Sequence, residues 1–575
     1  MRRLLTYLKP YKARVFWSTV LLFIVTALQL TGPVLMQIAI DDYISVGDND
    51  GLTRIALLYL GVLIAAFILG YIQFYSMQVI GQSVMCDIRM QTFKHLQKMH
   101  LGFFDKNPVG RLVTRVTNDV NVLNELFSSG VVAVIGDLLT LVGIIIAMLY
   151  YSWELTLISF AVLPFMVVAT IVFRNIVRKI YREVRAKIAR INAFLQEHLT
   201  GMSVVQLFNQ EKRAFFKFDN INRSLRSQHF KSIYCYATFF PLVELIEVTA
   251  VVLLIYFGGV RISTDLLTFG ELIAFIHLVE RFFRPLRDLA EKYNILQSSM
   301  ASSERIFKMI DEEPAISPPI SPKTIADFKG KIEFDNVTFA YNEPDTILSD
   351  VNFTVNPGEK VAIVGSTGAG KTSLISLLLR FYDSQKGSIK IDGVPLKEMD
   401  PNYVRSHMAL VLQDVFIFSG NFSRNIDLHD NKITEQKIAE AARQVGIADY
   451  IERQPDKYET EVQERGATLS TGQKQLLSFA RALAYDPKIL ILDEATSSVD
   501  TETENIIQKA LERLMRGRTS IIIAHRLSTI EKADRILVMH KGQLRESGTH
   551  RELLEQKGIY HTLYQTQFAF ANGTK

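Results

Sequence analysis

Long apolar runs occupy the chain up to about residue 300, and short apolar runs separated by polar residues occupy the rest. A helix that crosses a membrane needs ~20 mostly apolar residues. Segments of this kind are Val15–Ile40, Ile55–Ile80, Val131–Tyr151, Leu155–Phe173, Phe239–Val260 and Phe269–Phe283. The last is the least apolar, because Glu271, His277, Glu280 and Arg281 interrupt it. The pattern predicts an all-α transmembrane domain of six helices.

The polar segments between these runs predict the orientation. Gly81–Gly130 and Arg174–Thr238 are long and rich in Lys and Arg, as is the N-terminus, whereas the other loops are short. Because such basic segments stay in the cytoplasm, we expect a cytoplasmic N-terminus in a multi-pass plasma-membrane protein. The first apolar run is too long for a signal peptide and lacks a small-residue cleavage site, so it should be retained as a membrane helix.

The long basic segments also keep a helical pattern. Ile180, Val184, Ile188 and Ile191 recur at helical spacing. A continuous helix from Ile55 to His100 would be ~70 Å long, about twice the bilayer thickness. We therefore expect the membrane helices to extend into the cytoplasm, with turns at His100–Gly110 and near Gly201.

A proline-rich stretch then separates two parts of different composition. Asp311–Gly330 contains four prolines, which is typical of a linker. After it, short β-rich runs alternate with helical segments, as in an α/β domain. We predict a transmembrane domain over 1–310, a linker over 311–329 and an α/β domain over 330–575.

Charge and cysteine content exclude other classes. The net charge is only +5, and no Lys/Arg tract indicates a nucleic-acid partner. The two cysteines, Cys86 and Cys235, are far apart and give neither a disulfide framework nor metal-ligand spacing.

A complete P-loop pattern opens the α/β part. It follows the apolar run Val361–Val364 and precedes a helical run, which is the context that the motif requires. Its residues are Gly365, Ser366, Thr367, Gly368, Ala369, Gly370, Lys371 and Thr372, and Ser373 follows them. The glycines let backbone N–H groups face phosphate oxygens at a helix N-terminus. Lys371 would contact the β- and γ-phosphates, and Thr372 a Mg²⁺ ion.

An acidic pair stands at the end of a second apolar run, Lys488–Leu492. Asp493 is placed to hold the Mg²⁺ shell, and Glu494 to polarise the attacking water. An isolated Asp-Glu pair is also common at helix N-caps. Beside an intact P-loop, the nucleotide site is the favoured interpretation.

Further motifs stand in order around these two. They are Tyr341 in Val337–Tyr341, Gln413 in Val411–Asp414, Thr460–Gly466, Leu469–Gln473, Ser497–Asp500 and His525 in Ile523–Arg526. With them the sequence resembles the ABC transporter family, and its exporter branch in particular. Phe103–Arg111 and Glu197–Gln210 are similar to the two coupling-helix regions of these exporters. The resemblance therefore covers essentially the whole chain and implies an ABC-type nucleotide-binding domain after the membrane domain.

The resemblance implies ATP and Mg²⁺ as ligands and assigns roles to single residues. Tyr341 would stack on adenine, Gln413 would reach the Mg²⁺ and the attacking water, and His525 would steady the γ-phosphate. Ser470, Gly472 and Gln473 would cap an ATP that is held by the P-loop of a second chain.

The function implied is ATP-driven export of hydrophobic or amphipathic drugs or lipids by alternating access. Since the chain has one nucleotide-binding domain, it would work as a dimer of half-transporters. A homodimeric lipid flippase and an ATP-gated regulatory ABC protein are the alternatives. The intact Glu494 and His525 argue against the ATP-gated protein, because a protein that only needs ATP for gating can tolerate the loss of catalytic residues.

Thr471 favours a heterodimer. The family has glycine there, where the backbone must approach the γ-phosphate held by the partner. A β-branched residue restricts the backbone and adds bulk. We therefore expect this chain to supply the catalytic glutamate, while its own signature caps an impaired site. A homodimer that tolerates threonine stays open.

Ionisable residues in the predicted spans leave the cargo undecided. Glu244 and Glu247 lie three residues apart, near Pro241, and share a helix face. They could line a cavity for cationic amphiphiles, pair with basic residues of a neighbouring helix, or lie at the membrane interface. Glu271, His277 and Glu280 are similarly open, and a polar cavity face without a specific ligand is a further interpretation for them.

Overall fold

The computed structural model describes residues 2–126, 132–493, 501–524 and 527–566. The chain forms two compact units, Met1–His95 with Gly110–Glu312, and Leu96–Val109 with Glu313–Lys575. The second unit thus includes a short segment from within the helical part of the sequence. The boundaries predicted at 310 and 330 stay predictions.

The N-terminal part of the chain is helical. Its α-helices are α1 (Arg2–Thr6), α2 (Lys12–Ile38), α3 (Asn49–Leu96), α4 (Leu101–Lys106), α5 (Val109–Thr114), α6 (Val120–Glu125), α7 (Val132–Tyr151), α8 (Trp153–Phe160), α9 (Leu163–Thr200), α10 (Met202–Leu207), α11 (Glu211–Ile262) and α12 (Phe269–Ile310). π-helical turns follow α2 at Ala39–Ile44 and α5 at Arg115–Asp119. A short helix, α4, occupies the first predicted turn, and Gly201 separates α9 from α10.

Within the described residues, five helical segments are long and apolar enough to cross a membrane. They are Lys9–Ile44, Asn49–Leu96, Val134–Tyr151, Trp153–Thr200 and Glu211–Ile262. The sixth predicted span forms the start of α12, but its charged residues keep it below that standard, so its crossing stays a prediction. The predicted span Leu155–Phe173 is divided between α8 and α9. Pro164 lies in the first turn of α9, where the missing N–H costs nothing.

Four of the described helices are much longer than a bilayer requires, and one of them is α12 with 42 residues. α3 has 48 residues and α11 has 52, or ~72 and ~78 Å at 1.5 Å per residue. α9 has 38 residues. Helices of this length fit the expectation that they continue beyond the membrane, which stays a prediction.

Two hydrophobic clusters hold the first unit together. One packs α7, α8, α9 and α11 around the buried face of α12, where Phe275 and Leu278 are almost fully covered. The other packs α1, α3 and α6 against the end of α12 and includes Leu4 and Ile306. α12 is therefore common to both cores.

The second unit is an α/β domain. Its strands are β1 (Ile332–Ala340), β2 (Thr346–Val355), β3 (Lys360–Val364), β4 (Lys386–Ile391), β5 (Val394–Pro395), β6 (Met408–Val411), β7 (Gly420–Asn421), β8 (Glu461–Val462), β9 (Ile489–Asp493), β10 (Thr519–Ile523), β11 (Arg535–His540) and β12 (Gln543–Gly548). Its helices after the linker are α13 (Lys371–Leu378), α14 (Pro401–Ser406), α15 (Phe422–Asp427), α16 (Glu435–Val445), α17 (Ala448–Glu452), α18 (Thr471–Ala484), α19 (Thr501–Met515), α20 (Leu527–Glu531), α21 (His550–Glu555) and α22 (Ile559–Tyr564).

The main sheet has the order β12-β11-β3-β10-β9-β6 and is parallel except for β12. A four-stranded sheet, β2-β1-β4-β5, and a two-stranded ribbon, β7-β8, complete the unit. The carboxyl ends of parallel strands share one edge of a sheet, which is where α/β proteins bind ligands. The ends of β3, β9 and β10 meet at that edge.

Candidate functional site

The P-loop residues lie between the central strand β3 and α13, as predicted. Gly365, Gly368 and Gly370 have φ values of 156°, 80° and 100°, which turn the chain sharply. The Ala369 N–H donates to the Ser366 carbonyl oxygen at 3.1 Å, while Thr367 at the tip of the loop is exposed. Gly370 is the N-cap of α13. The loop therefore ends at a helix N-terminus, whose backbone N–H groups suit phosphate.

Gly365 shows that the cradle is tight. A Cβ at this position would lie 2.3 Å from the backbone oxygen of Met539, in the neighbouring strand β11. Only glycine fits there without displacing β11. The residues present thus fit a phosphate chain that lies close to the backbone.

Lys371 is held inside this loop and is 8% exposed. Its Nζ donates to the carbonyl oxygens of Gly365 at 2.6 Å and Ser366 at 3.1 Å. Burial lowers the pKa of Lys371, and the nearby carboxylate of Asp493 opposes that shift. An ammonium group in this setting gains strongly from an anion nearby.

Asp493 ends β9 at the same edge of the sheet. It pairs in register with Ile523 of β10, and Ile523 pairs with Ile363 of β3. Only the end of β10 therefore lies between Asp493, at the end of β9, and the P-loop, at the end of β3. Glu494, Ser497–Asp500 and His525 lie outside the described residues.

Gln413 and Thr372 are both exposed at this edge. Gln413 lies two residues beyond β6, the strand next to β9, and Thr372 is in the first turn of α13. Among the described residues no group of three His, Cys, Asp or Glu forms a metal cage. Mg²⁺ prefers one or two protein oxygens together with phosphate and water.

Tyr341 follows β1 and is 40% exposed. Its hydroxyl lies 3.2 Å from the Ser373 hydroxyl of α13. Phe339 and Tyr382 contact its ring edge-on, with centroids 4.8 and 5.0 Å away. These contacts fix the ring beside the P-loop helix and leave it accessible for stacking.

Sequence reasoning missed Tyr382. Its hydroxyl donates to the carboxylate of Asp105 in α4, within the same unit. A Cβ on Gly102 would lie 2.9 Å from its ring. Burial raises the pKa of Tyr382, and the bond to Asp105 adds to this. The sequence signal was the aromatic pair at 381–382, directly after the P-loop helix.

The signature residues form the start of α18. Ser470 is its N-cap: its Oγ accepts from the Gln473 N–H at 3.2 Å, while the Gln473 Oε1 accepts from the Ser470 N–H at 2.9 Å. Gly472 is buried, whereas Ser470 and Thr471 are exposed. This capping box fixes the turn. Thr471 begins the helix itself, and the expected effect of its β-branched side chain on the partner's ATP stays a prediction.

The ionisable residues of the membrane unit fall into different settings. Glu271 completes a capping box with Thr268 at the start of α12, so its role is local. His277 Nδ1 lies 3.4 Å from a Glu280 carboxylate oxygen. Glu244 is exposed, whereas Glu247 is half-buried and has a partner.

Comparison with known proteins gives the wider context of this site. Residues 15–286 match the ABC transporter transmembrane region, and residues 348–497 match the ABC transporter family. YknV, an uncharacterized ABC transporter ATP-binding protein of Bacillus subtilis, is 39% identical over 99% of this chain and 95% of its own length. The chain belongs to the ABC transporter family. As a member of this family it hydrolyses ATP in step with transport.

Other relatives of this ABC transporter carry more specific names. YheH of Bacillus subtilis, a probable multidrug resistance ABC transporter ATP-binding/permease protein, is 36% identical over 90% of this chain and 77% of its own. An ATP-dependent lipid A-core flippase of Syntrophus aciditrophicus is 34% identical over 99% and 94%. The structure of a bacterial Atm1-family ABC exporter with ATP bound superposes with a TM-score of 0.77, at 28% identity, over 97% of this chain and 98% of the other. The predicted exporter fold is confirmed.

Proposed function

We propose that this chain is one half of an exporter that moves hydrophobic or amphipathic compounds, drugs or lipids, out of the cell by alternating access. The observation that carries the proposal is that one α/β unit holds both an intact phosphate cradle at β3–α13 and an exposed, rigid signature turn at Ser470. In a dimer, each cradle would face the signature turn of the other chain. The names of the multidrug and flippase relatives support the cargo classes.

The cradle would hold ATP through its own groups. Backbone N–H groups of 366–372 other than that of Ala369, and a third N–H of the Lys371 ammonium beyond the two already used, would donate to phosphate oxygens. Tyr341 would stack on adenine. The Thr372 hydroxyl, Asp493 and Gln413 would hold a Mg²⁺ ion, which withdraws charge from the phosphates when bound.

Hydrolysis would depend on Glu494 and His525. Glu494 follows the buried strand β9 and would orient water as general base, and His525 would contact the γ-phosphate. Ser470, Gly472 and Gln473 would cap the partner's ATP, with the N-terminus of α18 favouring negative charge. Since the Ser470 oxygen only accepts within its capping box, its O–H stays available as a donor.

We propose a heterodimer with a related half-transporter in the plasma membrane, with the nucleotide-binding domains cytoplasmic. The methyl and hydroxyl of exposed Thr471 add bulk where the family has glycine, so the ATP that this signature caps should be hydrolysed poorly. The partner's signature would serve the intact Glu494 of this chain. A homodimer is the second candidate, and the ordinary helical backbone at Thr471 favours it.

Substrate-stimulated ATP turnover in vesicles tests the function. We expect the chain co-purified with a neighbouring half-transporter to be stimulated by hydrophobic amphiphiles. Glu494→Gln should retain nucleotide binding and lower turnover at least ~100-fold, because an amide cannot act as a base. Near-normal turnover of that variant would refute the role of Glu494.

The same assay separates the two kinds of dimer. We expect the chain alone to have low turnover, and Thr471→Gly to raise it by removing bulk beside the γ-phosphate. Full stimulated activity from the single chain, unchanged by Thr471→Gly, would refute the heterodimer and leave the export function standing.

A further inference from the structure

α12 has two contrasting faces where it would cross the membrane. Phe275, Leu278 and Val279 are buried in the core of the first unit. His277, Glu280, Arg281 and Arg284 recur at helical spacing on the opposite side and are not buried. Ionisable side chains at this depth avoid lipid and face water or protein. The polar face of α12 is therefore expected to line the space between the two halves.

Arg281 is deep in this region. It lies about twelve residues from the start of α12, or ~18 Å along a hydrocarbon core ~30 Å thick. Two other cations of the membrane unit have carboxylate partners: Lys292 pairs with Asp137, and Arg261 with Glu154. Among the side chains that the structure describes, Arg281 makes no ion pair, so no carboxylate there compensates its positive charge.

A neutral group holds Arg281 in place. Pro33 lies inside α2 and has no N–H, so it leaves the carbonyl oxygen of Gln29, four residues earlier, without its helical bond. The Nη1 of Arg281 donates to that oxygen. Gly32 of α2 lies beside the guanidinium, where a Cβ would be in ordinary contact with Nη2 at 3.6 Å. The guanidinium is thus positioned but not neutralised, and several N–H donors remain.

We propose that Arg281 binds the anionic headgroup, phosphate or carboxylate, of an amphipathic cargo molecule. The planar guanidinium suits bidentate binding of either group. This inference rests on the proposed export function and specifies its substrate class. Glu244, which suggested a cationic cargo, lies ~27 Å along α11 from Ile262 and so near the other boundary of the core.

Three amphiphiles with the same dodecyl chain test the charge preference. The complete complex in phosphatidylcholine vesicles is titrated with dodecyl phosphate, dodecyl maltoside and dodecyltrimethylammonium, and ATP turnover is measured. We expect Arg281→Gln to raise the half-maximal concentration of dodecyl phosphate about tenfold, with the other two unchanged, because a charge-assisted bond is lost. Arg281→Lys should restore part of the affinity, and Arg54→Gln, an exposed cation of α3, should change nothing.

Binding of dodecyl phosphate, measured without ATP turnover, tests whether Arg281→Gln damages the structure rather than the binding site. Dodecyl phosphate should raise the melting temperature of the wild-type complex and not that of Arg281→Gln, while both melt alike without it. An equal loss for all three amphiphiles, or a lower melting temperature without any amphiphile, would show that Arg281 only packs α12 on α2 and would overturn the proposal. A wild type with no preference for the phosphate would also overturn it. No response to any amphiphile would instead refute the export function.

Discussion

The close approach of Gly365 to β11 predicts that the phosphate cradle will not tolerate a larger residue at this position. Gly365→Ala adds one methyl group whose carbon would lie 2.3 Å from the Met539 backbone oxygen. Gly368→Ala is a matched control in the same loop. Gly368 also has positive φ, 80°, but a Cβ there meets nothing within 4 Å.

The expected costs follow from these two environments. An alanine at Gly368 suffers only backbone strain, ~1–2 kcal/mol. An alanine at Gly365 suffers similar strain and must also move the loop or β11 by about 1 Å to reach a normal C···O distance of roughly 3.4 Å. Met539 is 1% exposed and its strand is paired on both sides, so the movement is resisted. Overpacking of this kind costs ~1–3 kcal/mol more.

Thermal unfolding of the full chain in detergent without nucleotide isolates this difference. For a domain of 150–250 residues, 1 kcal/mol shifts the melting temperature by ~2–4 °C, so Gly365→Ala should melt roughly 2–12 °C below Gly368→Ala. ATP affinity measured next should fall further for Gly365→Ala. Equal melting temperatures for the two variants would refute the argument that β11 supports the cradle.

Two further predictions concern the membrane unit. Asp119 is 7% exposed and accepts from Arg305 Nε at 3.0 Å and from Ser302 Oγ at 3.1 Å. Asp119→Asn should therefore lower the free energy of unfolding by ~1–3 kcal/mol, measured by thermal unfolding. The control Asp219→Asn, at the exposed pair with Arg223, should cost below ~0.5 kcal/mol, and equal losses for the two variants would contradict this. The second prediction concerns topology and uses a variant in which Cys86 and Cys235 are replaced. Single cysteines introduced at Asp48 and Thr264 should react with an impermeant maleimide added outside, whereas cysteines at Lys106 and Gln210 should not. Labelling from outside at Lys106 would overturn the six-span topology.

Local patterns were enough to predict much of this molecule. The strand–loop–helix context of the P-loop and the long apolar helices follow from neighbours in sequence, and both are observed. Strands with many polar residues were missed. β2 and β12 mix charged and apolar positions because one side of each faces solvent, so neither gave a clear apolar run.

The rest depends on contacts between distant residues. The hydrogen bond of Tyr382 to Asp105 and that of Arg281 to Gln29 each join positions hundreds of residues apart. The carbonyl freed by Pro33 matters only once α12 is packed beside α2. At Thr471 the sequence indicated a restricted backbone and added bulk, and the structure adds that this residue lies in the first turn of α18, next to the Ser470 capping box.

The length of α3 has a mechanical consequence. Its 48 residues contain no proline, so it acts as a stiff lever ~72 Å long. A tilt of about 5° about its outer end would sweep the inner end through roughly 6 Å, about one helical turn. A displacement of several ångströms at one end of this helix thus needs only a small rotation about the other end. A single proline in the middle would let the helix bend instead, and the displacement would be lost.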